Sequence, residues 1–140
     1  MGYFSKRILN QLIGMIPELL EISNDNHEKM KVALTDLNIK VISKVDKRLS
    51  SPRIVFLIQS DLKLKLTEWM LSNKIELGVW FDQIPKVEQH TSNNALTGTT
   101  ELMDQVVNLP CHWSISQFEI DRMIENINHF LTEPGYGSNV

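Results

Sequence analysis

An α/β (α+β) two-layer sandwich, with a small mixed or antiparallel sheet and helices packed mainly on one face, is what three features of this sequence predict. The first is residues 53–59 (RIVFLIQ), where five consecutive apolar residues, three of them β-branched, read as a strand buried on both faces at the sheet's centre. The second is the short run 106–109 (VVNL), halted by Pro110 and followed by a strongly signalled amphipathic helix. The third is the order of segments: helix, strand, strand, helix, strand, short helix, strand, helix. A chain of 140 residues with that alternation can bury one core between a sheet and a helix layer.

Taken in order, Ile8, Leu9, Leu12, Ile13 and Ile16 form the first helical stripe, and Gly14 with Pro17 predicts a kink or restart. Leu19, Leu20, Ile22, Met30, Ala33, Leu34 and Leu37 continue it, across a polar stretch at 23–29 expected to be exposed or a local break, and Asn38 suits the helix end. Ile39, Val41, Ile42 and Val45 read as a strand and residues 46–52 as a polar turn, short enough to join a hairpin to the 53–59 strand. Ser60 or Asp61 is placed to cap the next helix, whose Leu62, Leu64, Leu66, Trp69, Met70 and Leu71 form a broad apolar face; Ser72, Asn73 and Lys74 close it. Residues 75–81 (IELGVWF) read as a strand in which Gly78 marks a close approach or a bulge.

A polar connection at 82–98 follows, longer than a simple turn needs, and Thr99 or Thr100 begins a short helix reaching Asp104. After the strand ending near Leu109, Ser116 and Glu119 have the spacing of a capping box. Phe118, Ile120, Met123, Ile124, Ile127, Phe130 and Leu131 recur at spacings of three and four, so a helix runs from about Gln117 to about Thr132, ended by Pro134 and Gly135. Residues 1–133 make a single domain and residues 134–140 a flexible tail.

Composition narrows the function classes. A net charge of −3 and dispersed Lys and Arg weigh against a nucleic-acid partner; the loose group Lys40, Lys44, Lys47, Arg48 and Arg53 reads as a solvated strand edge and loop rather than an anion site. Cys111 is the only cysteine, which excludes an intrachain disulfide and a four-cysteine zinc site and suits the cytoplasm. Its neighbour His112 lies on the opposite side of an extended chain, so the two do not form a thiolate pair. His27, His90, His112 and His129 lack metal-ligand spacing. No apolar run reaches membrane length, and no signal peptide precedes the first helix, so no membrane partner is expected.

Two stretches carry a resemblance. The string Asn108, Leu109, Pro110, Cys111, His112, Trp113, Ser114, followed by a terminal amphipathic helix, resembles the closing segment of the DegT/DnrJ/EryC1/StrS sugar aminotransferases, which use pyridoxal phosphate. Residues 75–81 resemble that family's strand after a helix, in the correct order, and the helical run 8–39 resembles the long helix that begins its C-terminal half. The resemblance implies the small C-terminal domain of a fold type I pyridoxal phosphate enzyme. It places Trp80, Phe81, Lys86 and His112 at a substrate entrance, although the histidine that relatives carry after the proline-containing turn is replaced by Lys86 and Val87. His112 matches the family's loop histidine, with a loop-holding hydrogen bond as its expected job.

No motif for the cofactor lysine or its aspartate partner is found, and Ser5-Lys6 lies too close to Met1 to be placed as the Schiff-base site. The chain is therefore expected to carry no catalytic or cofactor-binding residue and not to transaminate alone. Its partner would be a separate cofactor domain or a second copy of itself. The alternative is a stand-alone binding or protein-interaction module, possibly homodimeric.

Overall fold

The computed structural model describes the backbone of residues 3–44, 51–78 and 102–134, with side chains from Ile13 onward. Three long helices and three short strands occupy those stretches: α1 (Tyr3–Asp36), β1 (Lys40–Val41), β2 (Arg53–Leu57), α2 (Ser60–Ser72), β3 (Val106–Pro110) and α3 (Gln117–Thr132). The sheet order is β1-β2-β3, both pairings are antiparallel, and β2 is central as its apolar run required. The fold class is that of the sequence-based expectation, an α+β fold with a small antiparallel sheet.

Register explains which face is dry. Ile54 lies opposite Leu109 and Phe56 opposite Val107, and all four are fully buried against the helices. Met30 and Leu34 of α1, Leu66 and Met70 of α2, and Met123, Ile127 and Phe130 of α3 complete that core. Arg53, Val55 and Leu57 alternate to the other face and are only half-buried, which corrects the reading of this strand as buried on both sides. A three-stranded sheet covered by helices on one face leaves its other face partly wet.

Several local expectations change. α1 runs through Pro17 without ending. The amide that proline lacks would have met the Ile13 carbonyl, in a stretch where Ile13, Gly14 and Ile16 are exposed and water can take its place. The polar stretch after it is neither exposed throughout nor broken: Ser23, Asn26 and His27 are buried, whereas apolar Ile13, Met15 and Ile16 are about half-exposed. The helix therefore docks partly through Asn26 and His27, which find partners elsewhere in the chain.

Asn38 takes φ 60, with Asn38 N–H donating to Thr35 O and Ile39 N–H to Leu34 O (both 2.9 Å), a Schellman ending. α2 ends the same way with Lys74 at φ 59. Its N-cap is Gln59, not Ser60 or Asp61, and Gln59 makes no side-chain capping bond; Asp61 instead sits in the first turn, where its charge suits the helix dipole. Leu64 and Leu71 on α2 and Phe118 on α3 face solvent rather than the core.

β1 is shorter than expected because Ile42 N–H and Ser43 N–H both donate to the Val55 carbonyl, which breaks the ladder after Val41. β3 includes Pro110, tolerated at the strand's last position opposite Arg53. Among residues 75–78 the only sheet contact is an isolated bridge from Gly78 to Asn108. Residues 79–81, the whole 82–98 connection, residues 45–50 and the tail from residue 135 lie outside the described residues, as do Thr99 and Thr100, where a short helix is expected to begin.

Candidate functional site

Asn108 is the polar centre of the sheet's open face. It sits opposite Val55 in the β2–β3 ladder, and its side chain is fully buried. A buried amide must be hydrogen-bonded or it destabilises the fold. Here Arg53 Nη1 donates to Asn108 Oδ1 (2.6 Å), and Asn108 Nδ2 donates to Gly78 O (2.7 Å). Gly78 and Asn108 also exchange both main-chain bonds, at 2.9 and 3.0 Å. A Cβ at Gly78 would stand 2.1 Å from Asn108 Oδ1 and 2.5 Å from Arg53 Nη1, so this is the close approach that the glycine signalled.

Next to this junction lies a pocket of about 260 Å³ lined by Arg53, Lys74, Gly78, Pro110, Glu119 and Arg122, among others. Four segments build it: the start of β2, the stretch after α2, the end of β3 with the loop that follows it, and the first turns of α3. Arg122 is anchored by a bond from Nη2 to the Asn73 carbonyl. Glu119 is occupied in the capping box, accepting from Ser116 N–H and Ser116 Oγ at 2.7 Å each, and these bonds hold its carboxyl below the usual carboxylate range. The sequence marked Ser116 and Glu119 as a cap, but it gave no sign that Arg53, Lys74 and Arg122 meet.

The loop joining β3 to α3 holds the other candidates. His112 is half-buried, and its Nδ1 pairs with Ser114 Oγ at 2.8 Å. Asn26 of α1 donates from Nδ2 to the carbonyls of His112 (3.3 Å) and Ile115 (3.1 Å), which ties this loop to the long helix. Cys111 points inward, fully buried, with Sγ donating to Ser51 O at 3.2 Å. Burial pushes its thiol up to about 12, against a smaller opposing pull from Arg53, so it stays a protonated thiol near neutral pH. Trp80, Phe81 and Lys86 lie outside the described residues, so among the proposed entrance residues only His112 has a described position.

The described residues do not fit pyridoxal phosphate. Lys74 is the lysine at the pocket, but it is exposed, and the lining holds neither an aspartate to pair a pyridine nitrogen nor an aromatic ring to stack on one. Among the described residues no group of three His, Cys, Asp or Glu comes together to hold a metal, and no helix is long and apolar enough to cross a membrane.

No protein-family model matches this sequence, and no curated protein does. Solved structures do. A DegT DnrJ EryC1 StrS aminotransferase from Brucella abortus superposes with a TM-score of 0.72 over 89% of this chain and 34% of that one, at 17% identity. This chain has the fold of part of a sugar aminotransferase. A sugar aminotransferase from Micromonospora echinospora gives 0.61 over 82% of this chain and 31% of that one, at 16% identity. A Bacillus subtilis protein solved with bound cofactor PMP gives 0.62 over 82% and 28%, at 15% identity. PMP is the amino form of pyridoxal phosphate, the cofactor expected of the resembled full-length family. The chain spans about a third of the length of these neighbours.

Proposed function

We propose that this chain is the C-terminal small domain, or a fragment, of a pyridoxal phosphate-dependent nucleotide-sugar aminotransferase, and that it does not transaminate alone. The superposition on the Brucella abortus aminotransferase, over nearly all of this chain but a third of that one, carries the reading. The Asn108 to Ser114 string, which supports it, runs from the last three residues of β3 into the loop before α3. A separate domain would supply the cofactor lysine, and Trp80, Phe81, Lys86 and His112 would border the substrate entrance. The cytoplasm is the proposed compartment, and the single buried thiol of Cys111 is at home there.

The test is to incubate the purified chain with pyridoxal phosphate, reduce with borohydride and map adducts by mass spectrometry, with a parallel transamination assay on a keto nucleotide sugar and glutamate. Scattered low-level lysine labelling and no turnover are expected. A stoichiometric adduct on one lysine together with turnover would overturn the claim of inactivity.

A second reading, a self-associating interaction module, is favoured by one observation. Ile13, Met15 and Ile16 of α1 are each about half-exposed on a helix that buries nothing among its described side chains before Ser23. Sedimentation across a concentration series separates the readings: a monomer throughout sinks the second, and a reversible dimer supports it.

A further inference from the structure

Arg53, Lys74 and Arg122 face one cavity, and among the described residues the ion pairs are Lys31 with Glu28 and His129 with Glu133. None of the three pocket cations therefore has a carboxylate partner within ion-pair distance among the described residues. The two carboxylates of the lining, Glu76 and Glu119, leave the pocket one positive charge in excess, and Glu119 is already engaged by Ser116.

Each guanidinium is held by one protein bond, Arg53 to Asn108 and Arg122 to the Asn73 carbonyl. A guanidinium has five N–H donors, so most remain available, fixed in direction by that single anchor. Anchored donors lose little entropy when they meet a ligand. Like charges gathered at one cavity repel, and an anion between them removes that repulsion.

We infer that this pocket is a binding site for a single oxyanion head group, a phosphate or a carboxylate, gripped by Arg53 and Arg122 with Lys74 as a third cation. Guanidinium forks match both heads in geometry. The volume of about 260 Å³ limits the occupant, because sites for drug-sized molecules run from roughly 300 to 1,000 Å³. The pocket takes a charged head and leaves the rest of its carrier outside. Gly78 contributes to the fit by keeping the wall beside Arg53 free of a side chain. This assignment stands on the side chains themselves and does not depend on the aminotransferase reading.

The test uses the full chain, labelled with nitrogen-15, titrated separately with inorganic phosphate and with acetate while sodium chloride holds ionic strength constant. Saturable shifts centred on the amides of Lys74, Ile75, Gly78 and Arg122 are expected, and whichever ion saturates at lower concentration identifies the preferred head. The double variant Lys74→Gln, Arg122→Gln should bind at least tenfold more weakly while keeping a dispersed spectrum. Should that pair not fold, Lys74→Gln alone should weaken binding several-fold. Shifts that never saturate for either ion, that centre elsewhere, or that persist unchanged in a folded variant overturn the assignment.

Discussion

His27 shows how a single side chain is committed by its surroundings. It is fully buried on α1, and its Nε2 pairs with Ser43 Oγ at 2.8 Å, while that same oxygen accepts from Val55 N–H at 3.0 Å. Ser43 Oγ has a second lone pair and also lies 3.5 Å from the Val55 carbonyl, so either neutral tautomer of the ring completes this contact, and Nδ1 is buried with no hydrogen-bond partner among the described residues. Burial lowers the His27 pKa, Glu28 opposes this and Lys31 adds to it. The unfolded chain therefore binds this proton more readily than the folded one, and stability rises with pH across the interval between the two values. Full stability is expected above the ordinary histidine value of about 6.5 and progressive loss below it, toward the lowered folded value. Urea midpoints measured from pH 7.5 to 5 should fall on acidification, and His27→Gln should flatten that slope; an unchanged slope would remove His27 as its cause. Gly78 makes a second residue-scale prediction. Gly78→Ala drives a methyl into Asn108 Oδ1 and the Arg53 contact, and should cost about 2 kcal/mol by denaturant unfolding, through overpacking and a disturbed buried amide. A variant as stable as the parent would mean that the junction is slack.

At the scale of elements, local and distant causes separate cleanly. α3 has the bounds its sequence implies, Gln117 to Thr132, because both signals that set it lie within the segment. Ser116 Oγ accepts from Glu119 N–H at 3.3 Å while Glu119 bonds back to Ser116 N–H, and the buried set Ile120, Met123, Ile127 and Phe130 follows the helical period. Ser116→Ala should lower stability by about 1 kcal/mol in thermal or chemical melts, and the exposed Phe118→Ser should change it little. If Phe118→Ser were the more damaging of the two, the packing face would be misassigned. The docking of α1 was not legible in this way. Its buried Asn26 reaches carbonyls 86 and 89 residues away, and no local pattern encodes a polar side chain whose partner is that distant. The pocket was hidden for the same reason. Arg53, Lys74 and Arg122 come from three segments, and Arg53 looked like part of a solvated basic edge until the β2–β3 register set it beside Asn108. Lys74 is legible in the sequence only as part of the end of α2, where it takes the left-handed position that more often holds glycine. Lys74→Gly would relax that backbone at the expense of one pocket cation.

The whole molecule is asymmetric about its longest helix. α1 has 34 residues, on the order of 50 Å at about 1.5 Å per residue, yet its buried side chains begin only at Ser23 among those described. The C-terminal half is fixed to β1, to the loop after β3 and to α3 by Met30, Leu34, Asn26 and His27. Ile13 to Ile22 contribute no fully buried side chain, and Pro17 removes one helical hydrogen bond among them. Helical stability comes mainly from tertiary packing, so two levels of protection should coexist along one continuous helix. In native-state hydrogen exchange on a dilute sample, amides of residues 13–22 should open with about 1 kcal/mol or less, and those of residues 27–36 near the global unfolding free energy. The dependence on protein concentration then tests what covers the exposed half. Protection of residues 13–22 that climbs with concentration means that a second copy lies on Ile13, Met15 and Ile16, as the self-association reading requires. Low protection at every concentration leaves that face open in the isolated chain, as expected of a domain whose natural neighbour is another domain. Uniform high protection in a dilute monomer would refute the division of α1 into a docked half and a free one.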